Sequence, residues 1–286
     1  MSVWESLLCF YGTALPDHPA KRRTVLNLAH LSRKTWGVPR VVQRRGIKFE
    51  LDLNDAIPRS IFYLGYYEPW ETTWLEQILA PGWTVLDVGA HVGYYSLLCA
   101  KGVGPGGSVY AFEPCAATFA KLRRNLELNP GLNVRPEAIA VADHLEYMCM
   151  AEGDNSNTGS SYMIDKESGV SGVPVTTLDE FVQKLRIARV DLIKADVEGY
   201  EMKVLGGAEK TLARFRPRLM IEVNPDALIR CGTSAENVID ALRARNYATY
   251  EATRRALRPF NRLPPSGKYL NVIALPKDGE PVSDKP

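Results

Sequence analysis

The chain has 286 residues, 45% of them hydrophobic and 24% charged, a balance that fits a globular domain able to bury a sizeable core. Its net charge of +2 gives no overall pull toward nucleic acid or a membrane. No run approaches the ~18 apolar residues of a membrane-spanning helix, and the short, broken apolar start carrying Glu5 does not read as a signal peptide.

The elements divide into three stretches. Residues 1–75 form a helical and hairpin lead-in with a flap, 76–276 the main α/β domain, and 277–286 a tail expected to be disordered. The lead-in holds nine cations between Lys21 and Lys48 and no Asp or Glu. They fit a solvated face, or a surface for an anionic substrate or an anionic membrane. "RVVQRRGIKFELDL" alternates as a hairpin turned at Gly46. The aromatics Phe62, Tyr63, Tyr66, Tyr67, Trp70 and Trp74 follow, either as core packing or as a ligand-covering flap broken by Gly65 and Pro69.

From Trp83 strands and helices alternate. "TVLDVG", "SVYAFE", "NVRPEAIAV", a short strand near Glu146–Met150, "GVPVTT", "VDLIKAD", "RLMIEV", "YATYEA" and "KYLNVIALP" read as strands. Helices lie between most of them, and Thr177 with Glu180 fits a capping box. Such alternation predicts a mostly parallel sheet with helices on both faces. The polar loop "DNSNTGSS" interrupts the pattern. The cysteines Cys9, Cys99, Cys115, Cys149 and Cys231 are odd in number, scattered and without a Cys-x-x-Cys pair. That argues against a disulfide framework or zinc knuckle and leaves a cytoplasmic location as the expectation.

Ligands of open α/β sheets sit beyond the carboxyl ends of the strands. Here those ends carry acids: Asp87 before Gly89-x-x-x-Gly93, then Glu113, Asp196 and Glu222. A dinucleotide fingerprint has Gly-x-Gly-x-x-Gly spacing instead. An acid at that turn repels a pyrophosphate and favours an amino group. S-adenosylmethionine, with an ammonium, a sulfonium and a ribose without phosphates, fits this pattern.

The segments "GYYEPWE", "PGWTVLDVGAHVGYYSL", "VYAFEP", "VPVTTLDEF", "VDLIKADVEGYEMKVLGGA" and "RLMIEVNP" resemble, in this order, a class I S-adenosylmethionine-dependent methyltransferase of the FkbM family. The resemblance implies a Rossmann-like fold with a final antiparallel strand and a methyltransferase activity. Gly89 and Gly93 would admit the methionine part, Asp87 would anchor its amino group, and Glu113 would hold the ribose hydroxyls. Ala140, with Asp143 nearby, would border the adenine. Glu68 joins this cofactor set. His91 stands where family members commonly have Asn, and it either bonds the cofactor or fills the turn.

For a hydroxyl acceptor, a carboxylate or imidazole must take the proton. Asp196 is the leading candidate, with Glu198 and His144 as alternatives; Glu198 could instead cap the next helix, and His144 could sit on an exposed turn. Glu201 reads as a first-turn acid of that helix. Asp196, Glu222 and Asn224 together would suit Mg²⁺, or the last two would bind backbone at a strand end. Asn155, Ser160 and Ser161 in the polar loop would meet the acceptor, or the loop simply connects. The expected function is O-methylation of a sugar, glycan or polyketide-type metabolite. The alternatives are an inactive methyltransferase-fold scaffold and an N-methyltransferase. The expected partner is a small-molecule or glycan acceptor, with no nucleic acid and no transmembrane segment. The sequence assigns no oligomeric state.

Overall fold

The structure is a computed structural model and describes residues 2–15, 18, 20–145, 147–151, 162–164 and 172–278. The loop positions Asn155, Ser160 and Ser161 lie outside the described residues, as does 279–286, most of the tail.

The chain opens with α1 (Val3–Ala14), α2 (Lys21–Ala29) and a 3-10 segment, His30–Thr35. Ser2 and Glu5 cap α1 reciprocally, each side chain accepting from the other's backbone N–H. At the box expected near residue 177, the Thr177 hydroxyl accepts from Glu180 N. Next comes the hairpin of β1 (Arg40–Arg44) and β2 (Ile47–Leu51). Arg45 and Gly46 turn it at φ 52° and 79°, the two successive positive values that a tight hairpin requires. Asp55 caps α3 (Ala56–Leu64), Gly65 ends it at φ 81°, and α4 (Pro69–Ile78) follows with Pro at its start.

The aromatic cluster divides between the bodies of the helices and the turn that joins them. Phe62, Tyr63 and Trp74 are buried in the core. Tyr66, Tyr67 and Trp70, beyond the end of α3, are half-buried and line cavities.

The alternating region runs β3 (Thr84–Val88), α5 (Tyr94–Val103), β4 (Ser108–Phe112), α6 (Ala116–Glu127), β5 (Val134–Glu137), β6 (Ala140–Val141), β7 (Tyr147–Ala151), β8 (Tyr162–Ile164), β9 (Val173–Thr176) and α7 (Leu178–Lys184). It continues with β10 (Leu192–Ala195), α8 (Glu201–Gly206), α9 (Glu209–Phe215), β11 (Arg218–Val223), α10 (Pro225–Arg230), α11 (Ala235–Ala244), β12 (Tyr247–Ala252), β13 (Leu257–Pro259) and β14 (Leu270–Pro276).

Eight strands form the main sheet in the order β13-β12-β14-β11-β10-β3-β4-β5. β5, β4, β3, β10 and β11 are parallel, and the last strand, β14, runs antiparallel between β11 and β12. The fold is therefore the Rossmann-like α/β sheet expected. β13, which pairs with β12 at the edge, adds a strand that the sequence reading lacked. The run "NVRPEAIAV" is two strands, not one. β5 pairs with β4, whereas β6 pairs with β9 in a second sheet.

Strand order reverses between β3 and β10, because the chain builds outward to β5 and then returns. Such a switch point opens a crevice at the carboxyl ends. The two-residue period of the strands sends Val85 and Leu192 to one face and Leu86 and Ile193 to the other. The first face shares its core with the lead-in through Leu8, Val25, Trp36 and Phe49. The lead-in thus packs on that face of the sheet, and its Arg22, Leu26 and His30 reach the crevice. Among the described residues no helix is long and apolar enough to cross a membrane.

Candidate active site

The carboxyl ends of β3, β4, β10 and β11 surround a cavity of about 580 Å³. Gly89, His91, Glu113 and Ala140 line one side, and Asp196, Glu198, Glu222 and Asn224 line another.

The first side is tightly bonded. Glu113 Oε2 accepts from His91 N at 2.9 Å, and Oε1 accepts from Cys115 N at 2.9 Å. Burial pushes its carboxyl up, while these bonds and the nearby His91 pull it back. Each oxygen keeps a second lone pair for a ligand hydroxyl. Gly89 sits at φ 79°, and a Cβ there would fall 1.8 Å from the Asp196 carbonyl oxygen. Gly93 sits at φ 87° and starts α5. Both glycines are required by the turn itself.

His91 also holds a positive φ, 51°, and its Nε2 lies 3.4 Å from Asp55 Oδ2. The imidazole thereby ties the cofactor-type turn to the cap of α3. Asp87 is buried behind the cavity wall, not on it. Its Oδ2 accepts from Ser96 Oγ at 2.5 Å, and its Oδ1 lies 3.6 Å from Lys194 Nζ. Burial raises its carboxyl, opposed by Lys194 and Ser96.

Lys194 and its contacts escaped the sequence reading. This lysine is 4% exposed in β10 and reaches Asp196 Oδ2 at 3.3 Å as well as Asp87. Burial alone would lower its ammonium, but Asp196, Asp87 and Glu68 hold it above the ordinary lysine value. A lysine two residues before an acid shares that acid's strand face, and this was the available signal.

Acids on and behind the second side outnumber such cations; Glu68 and Glu201 do not line this cavity, and Glu68 lines a neighbouring one. Glu68, at φ 46°, accepts from the Tyr95 hydroxyl at 2.6 Å. Burial, then the charge of Asp196, pushes it up to about 7. Glu198 is pushed to about 8 by burial, Asp196 and Glu201, with Arg230 opposing. Glu201 is not merely a first-turn acid. Its Oε1 accepts from Val197 N and Gly199 N, bracing the turn, and burial takes it to about 7. Glu222 is 6% exposed, and burial with four acid neighbours drives it well above the ordinary range. Among the described residues its Oε2 is buried without a hydrogen-bond partner.

Asn224 is a helix cap whose Oδ1 accepts from Ala227 N. Among the described residues, no three His, Cys, Asp or Glu side chains converge as a metal site. The Asp196, Glu222 and Asn224 set shares the cavity, but Asn224 spends its oxygen on the helix. Ala140 lines the wall. Asp143 and His144 do not. Asp143 bonds His144 Nδ1 at 2.8 Å and Lys203 at 3.1 Å on the surface, and His144 is thus held away from the cavity. Opposite, the Tyr67 hydroxyl meets that of Tyr269 at 2.9 Å, linking the flap to the start of β14 across the mouth.

A wall with surplus, partly protonated carboxylates and an unpartnered acid oxygen suits a ligand that brings positive charge. A sulfonium with an ammonium does so.

The hexuronic acid methyltransferase AglP of Haloferax volcanii is 30% identical over 132 residues, covering 44% of this chain and 50% of the relative. The 31-O-demethyl-FK506 methyltransferase FkbM of Streptomyces tacrolimicus is 29% identical over 161 residues, covering 46% and 61%. A solved methyltransferase FkbM from Methylobacillus flagellatus aligns at 13% identity with a TM-score of 0.43, over 77% of this chain and 52% of that one. The chain spans only part of the curated relatives it matches, from 10% to 61% of their length. The sequence model of the Methyltransferase FkbM domain matches residues 87–249, from the acid of the first turn into β12. That match takes in more than half of the sequence and the acid-bearing strand ends, and the chain belongs to the FkbM methyltransferase family.

Proposed function

We propose that the chain is an S-adenosylmethionine-dependent methyltransferase acting on a hydroxyl of a sugar, glycan or polyketide-type metabolite. The observation that carries this reading is the cavity at the switch point, with Glu113 fixed by two backbone N–H groups and facing a surplus of acids. The names of the relatives, one acting on a hexuronic acid and one on an FK506 precursor, support oxygen-bearing acceptors.

Bound there, S-adenosylmethionine supplies a methyl group on a positively charged sulfur. Glu113 holds the ribose hydroxyls, and the wall at Ala140 borders the base. Asp196 would accept the acceptor's hydroxyl proton, leaving the oxygen free to take the methyl group. Lys194, at 3.3 Å, orients Asp196 for that role. Glu198 and Glu222 balance the ligand's charge as their carboxyls ionise beside it. Nothing in this scheme calls on Mg²⁺. The free thiols of Cys9, Cys99, Cys115 and Cys231 support a reducing, cytoplasmic setting.

Calorimetry with S-adenosylmethionine tests the reading, using the intact protein and Glu113→Ala. Saturable binding by the first and about a hundredfold weaker binding by the second are expected. No binding by the intact protein overturns it.

A further inference from the structure

A second cavity, about 650 Å³, meets the first along Arg22 and residues 267–269. Its walls combine Tyr66, Trp70 and Tyr269 with the cations Arg22, Arg254 and Lys268. Two acids, Glu68 and Glu71, also face it. Their placement differs from that of the cations. Glu68 is 8% exposed on the floor and Glu71 is half-buried, whereas Arg22, Arg254 and Lys268 are all exposed.

These three cations have no ion-pair partner within 4.0 Å among the described residues. Several of the lead-in's other cations are already bonded. Arg44 donates to the Ile61 and Phe62 carbonyls, Arg45 pairs with Glu76, and Arg40 lies near Glu5. Of the nine, Arg22 is the one that lines the inner cavity among the described residues. Two other cations on that wall are already used. Arg59 donates to the Leu53 carbonyl and stacks on Trp36, and Arg230 donates to the Glu198 carbonyl.

The joined cavities therefore mix polar and apolar walls: acids at the inner floor, exposed cations at the mouth with Glu71 near Arg22, and aromatic and aliphatic side chains between. This arrangement of charge gives a neutral molecule no preferred direction. A molecule with an anionic group at one end and hydroxyls at the other is oriented by it, because the anionic end, reversed, meets like charge. Aromatic rings beside polar groups suit the apolar face of a sugar ring.

Resting on the methyltransferase reading, we propose that the acceptor is an anionic sugar, its carboxylate or phosphate held at the mouth by Arg22, Arg254 and Lys268 and its target hydroxyl turned inward to Asp196.

The test measures equilibrium binding to protein loaded with S-adenosylhomocysteine, using glucuronate, glucose 6-phosphate and glucose as probes. At least one anion is expected to bind roughly tenfold tighter than glucose, and the stronger anion tells carboxylate from phosphate. Arg22→Gln with Lys268→Gln should erase the preference, and Arg22→Lys should restore most of it. Added salt should weaken the anion and not glucose, since these cations are exposed. Equal binding of glucose, no binding of either anion, or a preference untouched by the double variant overturns the inference. Failure of S-adenosylhomocysteine itself to bind removes the methyltransferase reading and this inference with it.

Discussion

Glu113 and Glu222 end two strands of the same sheet and are nearly equally buried, at 7% and 6% exposure. Their surroundings differ. Glu113 has both oxygens bonded to backbone N–H groups, whereas Glu222 has a buried oxygen without a partner and acids on several sides. One side of the cavity is complete before any ligand arrives. The other is left short of positive charge, and an unsatisfied buried acid is costly until something supplies it. The finished side gives orientation, and the unfinished side gives the ligand a reason to bind.

The comparison is most sharply broken at Asp196, an acid of the unfinished side. Asp196→Asn keeps the shape and removes the proton acceptor. We expect kcat to fall by about 10²- to 10⁴-fold, with cofactor binding changed far less. A kcat within a few-fold of the parent in steady-state assays assigns the base elsewhere, Glu198 first. Next in size is the bonded side. Glu113→Ala deletes two charge-assisted hydrogen bonds to the ribose, about 1.5 kcal/mol each, so cofactor affinity should drop by about a hundredfold. Calorimetry reads it directly.

The unfinished side predicts an effect of pH on stability. Glu68, Glu198 and Glu201 are raised to about 7, 8 and 7 in the folded chain. An unfolded Glu titrates near ~4.3, so between about pH 4.5 and 8 the folded chain holds more protons than the unfolded one. Stability therefore falls as pH rises through that window. The ligand-free protein should melt at a higher temperature at pH 5 than at pH 8. Glu222→Gln should narrow the gap by removing one of the crowded acids. A melting temperature that climbs from pH 5 to pH 8 contradicts this account.

The smallest expected effect concerns His91. Asn tolerates positive φ, whereas a β-branched residue does not. His91→Asn should cost under about 1 kcal/mol in denaturant unfolding, and His91→Val should cost more. Equal losses would mean that the Asp55 contact, not the backbone, decides the position.

Much of this site was legible because it depends on order along the chain. Strand ends carry their acids wherever the sheet forms, so Asp87, Glu113, Asp196 and Glu222 could be placed from residue order alone. Partners distant in sequence could not. Ser96 reaches Asp87 from inside a helix, Asp55 reaches His91 from the lead-in, and Lys194 hides in an apolar strand. Asp87 illustrates the consequence, since its place at the strand end follows from the sequence and its turn away from the cavity does not. "NVRPEAIAV" failed for a related reason. Nothing in its periodicity marks where a chain leaves one sheet for another.

The closeness of Gly89 to the Asp196 carbonyl has one more consequence. With no room for even a methyl group between them, the turn that receives the cofactor and the loop that presents the acid form a single mechanical unit. Displacing the first then displaces the second, so Gly89→Ala should lower turnover as well as cofactor affinity in binding and steady-state assays.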